Sequence, residues 1–415
     1  MFFKNFKVWE TEFAGRKLSV ETGKMAGLAN ASVMVRYGDT NVLCTVTASA
    51  KPREGVDFFP LSVDYEEKMY SVGKIPGSFQ RREGRASEKA ILTSRCIDRP
   101  IRPLFPKDLR NDCSVVATVM SVDPDCSPEI TAMIGVSAAI AISDIPWDGP
   151  ISGVNVGLVD GQIVINPTLE QRAKSDLVLT VASTADLVAM IEAGGNEIDD
   201  DTMFDAIMAG HEENKKIVKF IQGIVDEIGK PKFEYESSNP DPEIMAQIEE
   251  FCIEDVKKAL DTDDKLVRDE ALLPIYAAVH EKFDEQFEGN EAKIDEIMYL
   301  VQKHVVRSWL KDEHKRVDGR GIDEIRPLNA EVDLLARAHG SGLFTRGQTQ
   351  VLSVTTLGPM SDAQQLDGLD EQTEKRYIHH YNFPSYSVGE TKPSRGPGRR
   401  EIGHGALAEK ALVPV

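Results

Sequence analysis

The sequence predicts an α/β (α+β) fold built twice, with a small all-helical segment between the copies and the second copy incomplete. Three observations lead there. Short motifs recur in one order, 309 to 321 residues apart; the first copy alternates strand-like and helix-like runs; and the segment between the copies has apolar residues at helical intervals with few strand-like runs. At 415 residues the chain has room for two or three ordinary domains, and 41% hydrophobic with 28% charged residues is a globular composition.

The repeat comes first. Gly38 to Thr47 (GDTNVLCTVT) matches Gly347 to Thr356 (GQTQVLSVTT) at an offset of 309. Tyr70 to Gly73 (YSVG) recurs as Tyr386 to Gly389 at 316, Arg81 to Glu83 (RRE) as Arg399 to Glu401 at 318, and Glu88 to Ala90 (EKA) as Glu409 to Ala411 at 321. Four matches in one order indicate a duplicated domain. The last offset sets the final residue opposite Ser94, so the second copy is expected to lack a counterpart to everything from Arg95 to about Lys230. Domain limits are expected at 1–236, 237–312 and 313–415.

Within copy one, Val42, Cys44 and Val46 alternate as a half-buried strand, and Val115–Met120, Gln162–Ile165 and Leu177–Val181 are further strand-like runs. Ser127, Pro128 and Glu129 form a cap, a first-turn proline and a first-turn acid, opening a helix to Ile142. Another helix is predicted from about Ala86 to Asp98, because Pro100 disfavours helix at the residue before it. A third spans Thr202–Ile228. The 237–242 cluster SSNPDP is a linker, Glu243–Leu310 has helical spacing, and Arg316 to Arg320 (RVDGR) opens copy two.

The net charge of −20 argues against a nucleic-acid partner until its distribution is considered. Lys74 to Arg110 holds ten Lys/Arg against four Asp/Glu, and Lys375 to Arg400 six against one. The acids concentrate in Glu236–Glu296, nineteen against six bases, so this helical module is expected to stand clear of phosphate. Five scattered cysteines without metal-type spacing fit a reducing cytoplasm, and the N-terminus has no secretory pattern. The longest apolar run, Ile130–Ile142, is too short for a membrane span. No Walker loop, GxSxG, HExxH or EF-hand pattern is present.

Two segments carry candidate chemistry. Gly73 to Arg85 is a glycine-punctuated loop presenting Phe79 beside Arg81 and Arg82, a pattern that suits single-stranded RNA because bases stack on the ring while guanidiniums hold phosphate. The alternative is a solvated loop whose arginines pair with local acids. The cluster from Arg95 to Arg102 is either a basic patch or a salt-bridged helix end. In Gly389 to Gly405, glycines permit close backbone approach to a ligand, and Arg399, Arg400 and His404 add donors suited to phosphate. Asp199 to Asp201 reads as helix-capping acids rather than a metal site.

The strings FFPLSVDYEEKMYSVGKIPGSFQRREGR, IDRPIRPLFP, KRVDGRGIDEIRPL, HGSGLFTRGQTQ, HHYNFPSYSVGE and GRREIGHGALAEKAL, in this order, resemble the polynucleotide phosphorylase family over essentially the whole chain. The resemblance implies two RNase PH-like domains joined by a helical domain, a homotrimeric ring, and KH and S1 domains behind the second copy. It places Phe79, Arg81 and Arg82 on an RNA-gripping loop, with Arg102 in the adjoining cluster, and Arg399, Arg400 and His404 in the second domain's active-site motif. Gln80 stands where that family often has a second Phe, and Gln348 where an acid is usual.

The implied reaction is 3′→5′ phosphorolysis of single-stranded RNA in cytoplasmic mRNA decay. Inorganic phosphate attacks the terminal phosphodiester and releases a nucleoside diphosphate, reversibly. The Mg²⁺ or Mn²⁺ ligands of the family fall beyond Val415, so no metal ligand is assigned and this chain alone is expected to lack turnover. A catalytically inert RNA-binding ring subunit is the competing reading. A hydrolytic two-metal exonuclease is disfavoured by the lack of a dense carboxylate cluster in the sequence.

Overall fold

The computed structural model describes residues 3, 5–53, 55–287, 292–370 and 372–414; Met1, Phe2 and Lys4 of the N-terminal segment, residues 288–291 of the predicted helical module, and Val415 lie outside the described residues. Two compact units divide the chain: residues 1–236 together with 362–415, and residues 237–361. The helical segment and residues 313–361 therefore fall in one unit.

The first unit is built on two sheets. Strands β1 (Lys7–Phe13), β2 (Arg16–Thr22), β3 (Ala31–Tyr37), β4 (Thr40–Pro52), β5 (Leu61–Glu66) and β6 (Asn111–Ser121) form a sheet ordered β1-β2-β3-β4-β6-β5. Only β5 runs parallel to its neighbour, and it lies at the sheet edge. Helix α1 (Glu88–Ile101) packs on β5, and α2 (Pro128–Ile142) packs on β3, β4 and β6. The second sheet, ordered β10-β9-β7-β8, contains β7 (Ser152–Val159), β8 (Gln162–Ile165), β9 (Leu177–Ser183) and β10 (Val188–Gly195). Short α3 (Leu169–Lys174) precedes β9, and α4 (Asp200–Ile228) packs on β7 and β9.

Helix α2 explains why the predicted apolar run is a helix and why it is buried. Ser127 Oγ accepts the Ile130 N–H at 3.3 Å, Pro128 fills the first turn, and every residue from Ile130 to Ile142 is buried. A helix apolar all round must be covered on every side, and α2 also meets β7 and α4. At Gly135 an added Cβ would lie 2.5 Å from Cys44 Sγ and 3.0 Å from Val35 Cγ2, so the close approach to the sheet requires glycine.

Helix α1 corrects two expected limits. It begins at Glu88, not Ala86, because the Ser87 hydroxyl accepts the Ala90 N–H at 2.9 Å and so caps the helix. It also runs beyond Asp98 through Pro100 to Ile101; the proline falls in the last turn, and Arg102 N–H bonds Asp98 O to close the end. Asp199 caps α4 as expected, accepting the Thr202 N–H at 2.9 Å.

The second unit holds α5 (Pro242–Leu260), α6 (Lys265–Phe283) and α7 (Ala292–Ser308) around a core that includes Ile248, Val256, Val279, Phe283, Ile297 and Val301. Three antiparallel strands follow: β11 (Leu328–Val332), β12 (Gly340–Arg346) and β13 (Thr349–Thr355). The chain then returns to the first unit with the short pair β14 (Gln364–Gln365) and β15 (Glu374–Lys375), a 3-10 turn at Ser385–Val388, and α8 (Arg399–Leu412) against α1.

The duplication is visible in local geometry. Gly38 (φ +55°) turns β3 into β4 with Tyr37 opposite Thr40, and Gly347 (φ +60°) turns β12 into β13 with Arg346 opposite Thr349. The 3-10 turns Met69–Val72 and Ser385–Val388 both end on a left-handed glycine, Gly73 (φ +69°) and Gly389 (φ +70°). The two later motif matches do not coincide in structure. Arg81 to Glu83 lies in the loop before α1, whereas Arg399 to Glu401 is the first turn of α8. Glu88 to Ala90 begins α1, while Glu409 to Ala411 lies near the end of α8. Counted from the caps Ser87 and Gly398 the helices are offset by 311, which places equivalent helical residues nearer together than the motif offsets of 318 and 321 do.

Candidate functional site

The loop after Gly73 is closed by its own polar groups. Arg81 N–H donates to Ser78 O at 2.9 Å, and the Ser78 hydroxyl donates to Arg82 O at 2.9 Å while accepting the Arg82 N–H at 3.3 Å. Phe79 and Gln80 therefore sit at the tip of a tight turn in which Arg81 takes a positive φ of 53°. Phe79 is fully exposed, and the Arg81 and Arg82 side chains are exposed and in no ion pair among the described residues. Glu83 ties the end of the loop back, accepting the Met69 N–H at 3.1 Å. Backbone donors, its own N–H first and then that of Met69, hold its carboxyl below the usual value.

Arg102 stands apart from that loop. Its guanidinium grips both Asp98 oxygens at 2.9 Å and donates to Leu61 O on β5 at 3.0 Å. Of the two readings of its cluster, the salt-bridged helix end is the one the geometry has. Two residues along the same strand, Arg399 donates to Val63 O at 2.8 Å and pairs with Asp64. The Ser94 hydroxyl accepts the Tyr65 N–H at 3.0 Å, so the outer side of β5 is bonded at successive alternate residues.

Arg400 and His404 lie one helical turn apart on α8, with Arg400 Nε 3.4 Å from His404 Nε2. The His404 ring packs on Tyr381 with centroids 5.2 Å apart. Glu401 fixes the start of the helix by accepting the N–H groups of Gly398 at 2.7 Å and Phe383 at 2.8 Å. Gly398 has no side chain to return the cap. Gly403 allows close contact between helices, since a Cβ there would come 2.5 Å from Arg95 Nε. The structure thus brings Arg399, Arg400 and His404 together on α8, Arg102 and Arg399 to one strand, and Phe79, Arg81 and Arg82 to a separate turn.

Contacts between elements distant in sequence complete the surroundings. Lys89 on α1 bonds Glu129 on α2 at 2.7 Å and pairs with Asp370. Burial pushes the Glu129 carboxyl up, but the Lys89 charge and hydrogen bond and the Ser127 hydroxyl outweigh it and hold it low. The bonds of Asp64, Asp367 and Asp370 were unmarked, because each lies far in sequence from the group it binds.

A repeated antiparallel hairpin and 3-10 turn, each followed by a helix, define a duplicated α/β domain. The chain matches the model of "3' exoribonuclease family, domain 1" over residues 14–146 and 324–415, and it belongs to that family. Residues 149–213 match "3' exoribonuclease family, domain 2", and residues 243–321 match "Polyribonucleotide nucleotidyltransferase, RNA binding domain". That last description runs against the expectation that the acidic helical module stands clear of RNA. The chain is 60% identical over 410 residues to the polyribonucleotide nucleotidyltransferase of Ruminiclostridium cellulolyticum, covering 99% of this chain and 58% of that protein. It is 60% identical over 412 residues to the protein of the same name from Lachnoclostridium phytofermentans, covering 99% and 59%, and 56% identical to that of Clostridioides difficile, again 99% and 59%. The chain therefore spans under two thirds of the length of these relatives.

Proposed function

We propose that this chain supplies the RNA-gripping turn and the phosphate-facing arginines of a phosphorolytic 3′→5′ exoribonuclease acting on single-stranded RNA. The observation that carries the reading is the turn at Ser78–Arg82, which presents an exposed aromatic ring and, two and three residues on, two exposed arginines in no ion pair among the described residues. A base stacks on such a ring while the arginines hold the adjoining phosphates. At the other site, Arg400 is bonded to His404 but to no carboxylate among the described residues and can meet an anion, whereas Arg399 is engaged by Asp64 and Val63 O. An oxygen of inorganic phosphate bonds to the terminal phosphorus, the P–O3′ bond breaks, and the shortened RNA leaves as a 3′ hydroxyl that takes up a proton. Arg400 and His404 act by holding charge as the two anions meet.

Domain limits at 1–236, 237–312 and 313–415, a cytoplasmic setting, a homotrimer and a Mg²⁺ or Mn²⁺ requirement belong to the same reading. Among the described residues no three His, Cys, Asp or Glu side chains are grouped to hold a metal, so the residues in hand do not fit that ion and its ligands are not assigned to them. No helix among the described residues is long and apolar enough to cross a membrane.

The test is release of nucleoside diphosphate from the 3′ end of a labelled single-stranded RNA by the full-length enzyme, with and without phosphate. Arg400→Ala in that enzyme is expected to lower phosphate-dependent release by roughly a hundredfold, the scale for one donor to a developing charge. Release at the wild-type rate would remove Arg400 from the reaction.

A further inference from the structure

A short segment of the returning chain touches the loop of one candidate site and, at Glu409, the helix that carries the other. Asp367 Oδ2 accepts the backbone N–H of Gly77 at 3.0 Å, at the base of the turn that presents Phe79, Arg81 and Arg82. A Cβ at residue 77 would lie 2.2 Å from that same oxygen, so an alanine there would push the Asp367 carboxylate out of its present place. Two residues on, Leu369 is 8% exposed and packs in the core of the first unit. The next residue, Asp370, pairs with Lys89 of α1. A little further, Lys375 reaches Glu88 at 3.4 Å, in the first turn of α1, and Glu409 at 2.8 Å on α8. One segment, pinned apolarly at Leu369, is thus bonded on one side to the turn and on the other to the helix of Arg399, Arg400 and His404.

We propose that residues 367–370 form a clasp in which Asp367 is a positioning residue for RNA, ordering the turn of Phe79, Arg81 and Arg82 before RNA arrives. The inference rests on the reading of that turn as RNA-gripping. An exposed glycine loop left to itself samples many conformations and must lose them on binding. Holding it in place beforehand moves that cost out of the binding step. Asp367 is exposed and serves one backbone N–H, so little of the global stability depends on it. Its effect falls on the order of the loop.

The test compares Asp367→Ala, Asp367→Asn, Gly77→Ala and the Asp367→Ala/Gly77→Ala pair in the full chain, with a fluorescein-labelled single-stranded RNA and hydrogen exchange over residues 75–82. Asp367→Ala is expected to weaken RNA binding by about fivefold, the scale for ordering a few side chains on binding. It should also speed exchange in the loop and leave the unfolding midpoint in place. Asn offers an oxygen to the same N–H and should restore both readouts. Gly77→Ala should match Asp367→Ala, and the pair should be no weaker than the worse single variant, because both break one bond. Unchanged exchange in Asp367→Ala overturns the clasp. So does unchanged affinity in that variant when Arg81→Glu/Arg82→Glu binds RNA poorly. If Arg81→Glu/Arg82→Glu itself binds normally, the RNA-gripping reading of the turn is what fails, and the positioning role falls with it.

Discussion

Replacing Arg81 and Arg82 together by Ala tests the turn most directly, because their side chains are exposed and in no ion pair among the described residues. Each single-strand phosphate neutralised contributes a slope of about −0.7 to log affinity against log salt, so losing two contacts should flatten the slope by about 1.4. Between roughly 50 and 200 mM salt, the unsubstituted chain should then lose about sevenfold more affinity than the variant. Arg102→Ala is the internal control. Its guanidinium is already spent on Asp98 and Leu61 O, so the slope should hold while stability falls by about 1 kcal/mol, a half-exposed charge-assisted bond. The assay is fluorescence anisotropy of a labelled single-stranded RNA titrated at several salt concentrations, with urea unfolding alongside. A double variant with the original slope would refute the phosphate contacts, and a flattened slope in Arg102→Ala would return Arg102 to the RNA surface.

Two further outcomes follow from titratable pairs. Lys89→Met leaves the half-buried Glu129 without its cation and should cost on the order of 1 kcal/mol at neutral pH, discounted for the partial exposure of both groups. Because the Glu129 carboxyl is held below 4.5 in the fold, its contribution is present above that value and lost as pH falls through the folded value; the deficit of the variant should therefore shrink on acidification, read by urea unfolding, and an equal deficit at both ends would contradict the pairing. His280 bridges Asp284 at 2.8 Å and Asp295 at 3.2 Å, and the Asp284 hydrogen bond first, then that of Asp295, overcome burial to raise its imidazole above 6.5. A raised imidazole contributes stability present below 6.5 and lost as pH rises through the folded value, so His280→Gln should flatten thermal stability against pH across that window.

What could be read in advance depended on range along the chain. Ser127, Pro128 and Asp199 announced their helices because a cap is a contact between neighbours. The strand-like runs at Val42–Val46 and Gln162–Ile165 lie within strands for the same local reason. The turn of Phe79, Arg81 and Arg82 was visible as glycine beside aromatic and charge. Arg399 shows the limit: its residue type suits a phosphate, yet its partners Val63 O and Asp64 lie 336 and 335 residues away, whereas Arg102 pairs with Asp98 four residues back, within reach of a sequence reading. The end of α1 was misjudged because Pro100 disfavours helix before it in general, whereas in a final turn it forfeits little. The motif offsets misled where the matched strings fell on a loop in one copy and a helix in the other.

The arginines along β5 matter beyond their own bonds. That strand ends its sheet, and a row of carbonyls at such a margin is a template on which a strand from another molecule can crystallise into a growing stack. Arg102 and Arg399 occupy two of those carbonyls, each guanidinium also paired with a carboxylate, Asp98 or Asp64. Removing both to ask about RNA would at the same moment uncover a polymerisation seam. Material lost to that seam would look like lost affinity, so light scattering belongs beside every binding curve taken with those two positions changed.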